Sequence, residues 1–176
     1  MTLQWIVILC SFALLSASCT TVSPPPVVDK KVDIERFMGD WYVIAGKFTF
    51  LERGAHNAVE HYALNEDGTI ATTFTFRRGG FDGPLKTYRP KGFIHDEATN
   101  AEWRMQFLWP FKAAYLILYL DDEYRYTAIG VPNRNYLWIM AREPSIPDER
   151  MREILSYLES IDYDISDLHR IPHQWP

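Results

Sequence analysis

The sequence predicts an all-β domain, either an antiparallel sandwich or a barrel, that ends with one α-helix. Beyond residue 45, apolar and polar residues alternate in short runs separated by turn-forming residues, which is typical of antiparallel strands. Near the C-terminus the period changes from two to the helical value of about 3.6. Residues 32–176 are enough for a single domain with one hydrophobic core.

The N-terminus predicts a secretory signal over residues 1–18. This segment contains no Asp, Glu, Lys or Arg, and its apolar run at residues 3–15 suits a signal peptide but is too short to span a membrane. Ser16, Ala17 and Ser18 then precede Cys19, as in lipoprotein signals, where the cysteine is lipidated after cleavage. A plain secretory signal cut near Ser18 is the alternative, because no Lys or Arg precedes the apolar run.

The cysteine content favours lipidation. Cys10 would leave with the signal, so Cys19 would be the only thiol of the mature chain and would have no partner for an internal disulfide. We therefore predict membrane attachment through a lipidated Cys19. Residues 19–31 include three consecutive prolines and predict an extended tether in front of the domain at residues 32–176.

Composition and motifs argue against several classes of function. The formal net charge is −5 and no basic stripe is present, so the sequence predicts no nucleic-acid partner. Gly-x-Ser-x-Gly and His-Glu-x-x-His motifs are absent, and no internal cysteine nucleophile occurs. His56 and His61 are five residues apart in one predicted strand, which would place them on opposite faces and not on one metal ion. We therefore predict a protein that is not an enzyme and has no metal or cofactor.

The domain begins with a helical turn that leads into a strand at Trp41. Three apolar residues between 34 and 38 are spaced to share one face of the turn, and Asp33 is placed to cap it. Gly39 supplies the backbone freedom that the end of the turn needs. Residues 41–44 are Trp, Tyr, Val and Ile, which favour a half-buried strand.

A hairpin turn at residues 65–68 indicates which side chains of the next two strands face inward. Alternation after the turn assigns four residues to the inner face: Ile70, Thr72, Phe74 and Phe76. Before the turn, Tyr62 and Leu64 share that face, which also places Glu60 inside. The strands that follow are predicted at residues 86–94, 102–108, 114–120, 125–130 and 136–141.

The C-terminal helix is predicted from the spacing of four apolar residues: Met151, Ile154, Leu155 and Leu158. Either Ser145 or Asp148 is placed to cap it, and Pro147 suits its first turn. One amphipathic helix after eight strands must lay its apolar stripe on the outer wall of the sheet. Residues 161–171 predict a short edge strand.

Two motifs carry a resemblance to a known family. The first is Gly-x-Trp-Tyr at residues 39–42, and the second is Tyr-Leu-Trp-Ile-x-x-Arg-x-Pro at residues 136–144. Matching pieces lie in order between them at residues 50–54, 62–68 and 120–125. Together they resemble the lipocalin family, and within it the bacterial outer-membrane lipocalins, which are similar to apolipoprotein D.

The resemblance implies an eight-stranded up-and-down antiparallel barrel with the helix packed on its outside. It also implies that Arg142 lies across Trp41 at the closed end of the barrel, and that Gly39, Trp41 and Arg142 form the structural motif of the family. A guanidinium stacks favourably on an indole and hydrogen-bonds to nearby carbonyls, so this arrangement is physically reasonable.

A barrel of eight strands leaves an interior that can hold one small ligand. The residues predicted to line it are Tyr62, Ile70, Phe74, Phe76, Trp103, Met105, Phe107, Tyr115, Ile117, Tyr136, Trp138 and Met140. This apolar and aromatic wall suits an acyl chain. The alternative is that these side chains fill the barrel as a packed core.

The leading interpretation is therefore a lipid-anchored lipocalin that stores or transports a fatty acid or lysophospholipid in the bacterial envelope. By the resemblance, Thr20 after Cys19 indicates delivery to the outer membrane, facing the periplasm. A lipocalin-fold enzyme is a second interpretation, for which Glu60 is the candidate reactive group. A carrier of haem or a pigment is a third, although His61 is expected to point outward. The sequence leaves the oligomeric state open, including a homodimer.

Overall fold

The computed structural model describes residues 23–175. The predicted signal at residues 1–18 and the predicted lipidation site Cys19 lie outside the described residues. The helices are α1 (Ile34–Phe37) and α2 (Asp148–Ser160), and a 3-10 turn spans Phe50–Glu52. The strands are β1 (Gly39–Lys47), β2 (Ala55–Leu64), β3 (Ile70–Arg78), β4 (Leu85–Tyr88), β5 (Lys91–Ile94), β6 (Glu102–Leu108), β7 (Phe111–Leu120), β8 (Tyr126–Gly130), β9 (Leu137–Ala141) and β10 (His169–Arg170).

The strands form one antiparallel sheet that closes into a barrel. From β1 to β9, strands that follow one another along the chain pair with each other, except that β4 and β5 both pair with β3 and share one position in the wall. Pairing of β1 with β9 closes the barrel, which confirms the predicted eight-stranded up-and-down fold. The short β10 falls within the predicted edge segment and pairs with β1. In the part of the chain that the structure describes, neither helix is long and apolar enough to cross a membrane.

Connections alternate between the two ends of the barrel. The β2–β3, β5–β6 and β7–β8 connections lie at the end that α1 covers, which we call the closed end. The β1–β2, β3–β4, β6–β7 and β8–β9 connections lie at the opposite end, which we call the open end.

α1 covers the closed end by packing Phe37 against Trp41. The two ring centroids are 5.0 Å apart and both side chains are fully buried. Trp41 Nε1 donates a hydrogen bond to the Phe37 carbonyl at 2.9 Å. Asp33 caps α1, since its side chain accepts a hydrogen bond from the backbone N–H of Arg36. The short helix is therefore held both by its cap and by the aromatic residue beneath it.

Arg142 lies across Trp41 with its guanidinium carbon 3.8 Å from the ring centroid. The guanidinium also donates to the backbone carbonyls of Asp40 at 2.7 Å and Arg36 at 2.8 Å. Burial lowers the pKa of Arg142 to about 10, so the side chain remains charged at neutral pH. Gly39 has a φ of 94°, and a Cβ there would lie 3.4 Å from a guanidinium nitrogen of Arg142. The three residues of the predicted structural motif therefore meet at one point.

α2 packs on the outer wall of the barrel, as predicted. Its buried residues are Met151, Ile154 and Leu158. They form a second hydrophobic cluster with outward-facing residues of the wall such as Leu118. The helix begins after Pro147, which is its N-cap, so the prediction that Ser145 or Asp148 caps it is wrong.

Two details of the wall differ from the predictions. The strand predicted at residues 86–94 is interrupted, because Pro90 has no N–H to donate to a ladder and β4 ends two residues before it. The prediction that His56 and His61 point to opposite faces is wrong. A bulge at Asn57, with a φ of 49°, shifts the register, so both imidazoles lie on the outer face of β2.

The N-terminal segment that was predicted as an extended tether outside the core lies against the barrel where it is described. Residues 23–31 form no helix or strand, yet Val28 donates its backbone N–H to the Ile117 carbonyl at 2.9 Å. Arg134, in the β8–β9 connection, donates to the Ser23 carbonyl at 2.7 Å. The described part of the chain therefore begins beside the open end of the barrel.

Candidate functional site

A cavity of about 300 Å³ lies inside the barrel and opens at the open end. Six of the twelve predicted lining residues form its wall: Phe74, Met105, Phe107, Tyr115, Tyr136 and Trp138. They come from β3, β6, β7, β9 and the connection before β9. Inward alternation along these strands therefore brings side chains from distant parts of the sequence to one apolar wall.

The other six predicted residues do not line this cavity. The structure places Tyr62, Ile70, Phe76, Trp103, Ile117 and Met140 in the packed interior, where each is at most 1% exposed. Trp103 stacks on Tyr115 with ring centroids 5.2 Å apart and contacts Phe37 on its other side. Five of the six lie toward the closed end, whereas Phe76 lies near the open end of β3 and packs against Phe74 and Tyr88. The packed-core alternative thus describes the closed half of the barrel and the surroundings of Phe76, and the cavity occupies the rest of the open half.

Several cavity residues were not among the predicted ligand contacts. The additional residues include Leu51, Glu52, Glu60, Thr72, Tyr88 and Pro90. Glu60 and Thr72 already lay on the predicted inner face, and Leu51 and Glu52 lay in one of the family motifs. Tyr88 and Pro90 fall in the predicted strand at residues 86–94, which is interrupted in the structure, so alternation did not predict which of its side chains face inward.

Glu52 joins the β1–β2 connection to the cavity wall. Its carboxylate accepts hydrogen bonds from the backbone N–H and the hydroxyl of Thr49 at 2.9 and 2.7 Å. The first of these belongs to a capping box, in which the Thr49 side chain also accepts from the backbone of Glu52. The second carboxylate oxygen of Glu52 accepts a hydrogen bond from Trp138 Nε1. Glu52 is only 6% exposed, so these donors compensate for burial of its charge. The indole of Trp138 is therefore held in a fixed orientation at the cavity wall.

Glu60 lies deeper in the barrel, beside two tyrosines. The Tyr62 hydroxyl donates to the Glu60 carboxyl group, and the hydroxyls of Tyr62 and Tyr115 are 2.6 Å apart. Burial, with a smaller effect from the charge of Glu52, raises the pKa of Glu60 to about 8. Glu60 is therefore mostly protonated and uncharged at neutral pH.

Thr72 contributes a buried hydroxyl that has no hydrogen-bond partner among the described residues. The side chain is 3% exposed and lines the cavity. Among the described residues, its Oγ1 is the buried side-chain oxygen without a hydrogen-bond partner. No lysine, arginine or histidine from residues 23–175 lines the cavity, and no group of three His, Cys, Asp or Glu in this range is placed to hold a metal ion.

Exposed apolar side chains surround the open end. Trp109 is 81% exposed and lies in the β6–β7 turn, and Phe50 in the β1–β2 connection is 78% exposed. Other exposed apolar residues at this end are Leu85, Phe107, Leu108 and Phe111. We call these six residues the apolar rim. Apolar patches of this kind commonly mark surfaces that contact partners or membranes.

Comparison with known proteins agrees with this architecture. Residues 32–173 match the model of the lipocalin-like domain. The chain is 31% identical to the outer membrane lipoprotein Blc of Escherichia coli strain K12, over 88% of each chain. It is 32% identical to temperature-induced lipocalin-1 of Arabidopsis thaliana, over 82% of this chain and 81% of the relative.

Solved structures show the same fold at lower sequence identity. Insecticyanin from the tobacco hornworm Manduca sexta superposes with a TM-score of 0.67 at 16% identity, over 89% of this chain and 86% of the other. Lobster apocrustacyanin A1 superposes with a TM-score of 0.65 at 15% identity, over 89% of this chain and 94% of the other. With the closed barrel, the outer helix and the matched family model, the chain belongs to the lipocalin family.

Proposed function

We propose that this lipocalin binds an acyl-chain lipid, such as a fatty acid or lysophospholipid, and carries it in the bacterial envelope. The observation that supports this most directly is the open cavity with its apolar and aromatic wall. Its volume of about 300 Å³ is at the lower end of the range for small-molecule sites, which suits one chain more than a bulky ring system.

The expected affinity follows from the buried apolar surface. Burial of about a dozen methylenes at about 0.8 kcal/mol each gives on the order of 10 kcal/mol. Ordering of the ligand and its lost translational freedom oppose about half of this or more, which leaves affinity in the micromolar range or somewhat tighter.

Attachment to the outer membrane, facing the periplasm, is the second part of the proposal. Relatives named outer membrane lipoprotein support it, as does the lipoprotein-like sequence before Cys19. Ser23 lies beside the open end, and four residues span at most about 14 Å. A lipid anchor on Cys19 would therefore hold the apolar rim close to the membrane, where a lipid can pass into the cavity.

Two alternatives have less support. A haem carrier would need an imidazole in the cavity, but His61 lies on the outer face and its Nδ1 is 2.6 Å from a carboxylate oxygen of Asp40. An enzyme would use Glu60, yet the hydrogen bond to its carboxyl comes from the Tyr62 hydroxyl, which in turn contacts the hydroxyl of Tyr115. Binding is the function that this site favours.

Native mass spectrometry of the purified full-length Cys19→Ser variant tests the proposal. We expect a co-purified ligand with the mass of a fatty acid or lysophospholipid. After its removal, titration with fatty acids should change the fluorescence of Trp138, because this indole lies in the cavity wall. A co-purified tetrapyrrole, or no response to any acyl chain, would contradict the proposal.

A further inference from the structure

The inner end of the cavity is polar, although the rest of its wall is mostly apolar. Glu60 from β2, Thr72 from β3 and Tyr115 from β7 line it there, and Tyr62 lies behind them. Tyr62 is directly opposite Thr72 in the β2–β3 ladder, and its hydroxyl contacts both Glu60 and Tyr115. We call Glu60, Thr72 and Tyr115 the polar floor. Beneath it, the stacking of Tyr115 on Trp103 joins it to the closed-end core.

The polar floor has hydrogen-bonding capacity that the described protein groups do not use. Thr72 lines the cavity, and its Oγ1 is buried and has no partner among residues 23–175. Burial of a hydroxyl without a partner is unfavourable, so a ligand group that pairs with it gains affinity. The carboxyl of Glu60 accepts a hydrogen bond from Tyr62 and, because it keeps its proton at neutral pH, can also donate one.

Charge decides which ligand group suits the floor. Glu52 and Glu60 are the ionisable acids of the lining, Tyr88, Tyr115 and Tyr136 are its phenols, and no basic residue of the described chain lines it. A carboxylate or phosphate at the floor would therefore lose its hydration without gaining a cation. A hydroxyl both donates and accepts, which matches the Thr72 hydroxyl and the protonated Glu60.

We infer that the polar floor binds the hydroxyl group of a hydroxylated acyl chain, which enters the cavity with this neutral end first. Any anionic headgroup of the same ligand then lies at the open end. The inference rests on the proposed function, since it names the chemical group that the lipid cavity selects at its inner end.

Ligands that differ only at the end opposite the carboxylate test the inference. We would titrate the full-length Cys19→Ser chain at pH 6.5 with dodecanoate, ω-hydroxydodecanoate, dodecanedioate and ω-aminododecanoate, and follow tryptophan fluorescence. We expect ω-hydroxydodecanoate to bind at least as tightly as dodecanoate, whereas a purely apolar cavity would bind it more weakly. Dodecanedioate should bind at least about tenfold more weakly than ω-hydroxydodecanoate.

Thr72→Val tests whether Thr72 is the partner of the ligand hydroxyl, because valine has nearly the same shape as threonine but no hydroxyl group. It should weaken the binding of ω-hydroxydodecanoate by about five- to tenfold more than it weakens the binding of dodecanoate. Thr73→Val is the matched control, because Thr73 is the neighbouring residue and faces outward from β3. It should change neither affinity. Circular dichroism melting of each variant would show that the fold is retained.

Three results would overturn the inference. If dodecanoate binds more tightly than ω-hydroxydodecanoate and Thr72→Val changes neither affinity, the polar floor does not recognise a hydroxyl. The proposed lipid binding would still stand in that case. If ω-aminododecanoate binds most tightly and Glu60→Gln abolishes that preference, the floor selects a cation. If none of the four ligands binds, the proposed lipid function fails as well.

Discussion

Glu60 has a different protonation state in the folded protein from the one that it has in water. Its pKa rises from 4.5 to about 8, chiefly because of burial, and Glu52 adds to the effect. The unfolded chain therefore releases this proton at lower pH than the folded chain. We expect the free energy of unfolding to fall between about pH 5 and pH 8, by up to about 1.4 kcal/mol per pH unit from this group.

Glu60→Gln isolates this effect, because glutamine keeps the shape and cannot ionise. In urea unfolding across this pH range, the free energy of unfolding of the variant should rise relative to that of the wild type as the pH increases. Tyr115, which also faces Glu60, stays neutral in this window, since burial raises its pKa further. Parallel pH curves for the two proteins would show that Glu60 is ionised in the folded state.

Arg142 is expected to act on stability and not on ligand affinity. It stacks on Trp41 and donates to backbone carbonyls at the closed end, away from the cavity. We expect Arg142→Ala to lower the free energy of unfolding by about 1–3 kcal/mol. Arg152→Ala, at an exposed position of α2, is the control and should change it by less than about 0.5 kcal/mol. An unchanged melting temperature with lost lipid binding would instead make Arg142 part of the binding site.

At the scale of single elements, β3 is expected to set the length of the acyl chain that the cavity accepts, if the proposed lipid binding holds. Phe74 lies mid-strand and lines the cavity, so the larger side chain of Phe74→Trp reduces the volume that is left for a ligand. Affinity for fatty acids should increase with chain length and then level off, and the variant should level off at a shorter chain. Thr75→Trp, on the outer face of the same strand, is the control and should keep the wild-type limit. Fluorescence titration with a series of chain lengths measures both limits.

The elements also show why only part of the site was predictable. Alternation along β3 placed Thr72 and Phe74 inside correctly, because a strand obeys a local period of two. In β2, a bulge at Asn57 interrupts the period of two, so alternation alone assigned His56 to the wrong face. The residues around Asn57 give no sequence signal for its φ of 49°. The contact of Trp138 with Glu52 joins residues 86 positions apart, so only the closed barrel brings them together.

At the scale of the whole molecule, the family motifs predicted the barrel, but not how far its interior is filled. Two strands of similar alternation, β3 and β6, each supply both cavity residues and packed residues. On β3, Phe76 lies nearer the open end than Phe74 and is packed against Phe74 and Tyr88. On β6, depth along the barrel separates the two groups, and it depends on where α1 and the large side chains Trp41 and Trp103 close one end. That depth is a property of the assembled barrel and is not encoded in the period of any one strand.

The anchor is expected to determine where the whole protein resides. Cys19→Ser should move the chain from the membrane fraction to the soluble fraction, because the lipidated cysteine is proposed to hold it there. Ala17→Ser, two residues before the proposed site, is a control that keeps Cys19 and should remain with the membrane. Immunoblotting of separated fractions measures this, and a Cys19→Ser protein that still sediments with membranes would place the anchor elsewhere.

The apolar rim should contribute a weaker, separate membrane contact. In the Cys19→Ser background, replacement of Trp109 and Phe111 by serine should reduce binding to phosphatidylethanolamine and phosphatidylglycerol vesicles by about tenfold or more. Leu64→Ser is the control, since Leu64 is exposed but lies at the closed end. Equal loss in the control would mean that the rim has no specific role in vesicle binding.

The pairing of β1 with β9 has a consequence for how the chain folds. Tyr42 and Ala141 face each other in this ladder although about a hundred residues separate them, and β10 adds a still later partner to β1. Contacts between distant parts of a chain form slowly, because the intervening segment must first be ordered. Until β9 is in place, β1 presents an unpaired edge that can pair with another molecule. A chain shortened before residue 137 would keep that edge open permanently, so its expected fate is aggregation and not a smaller barrel.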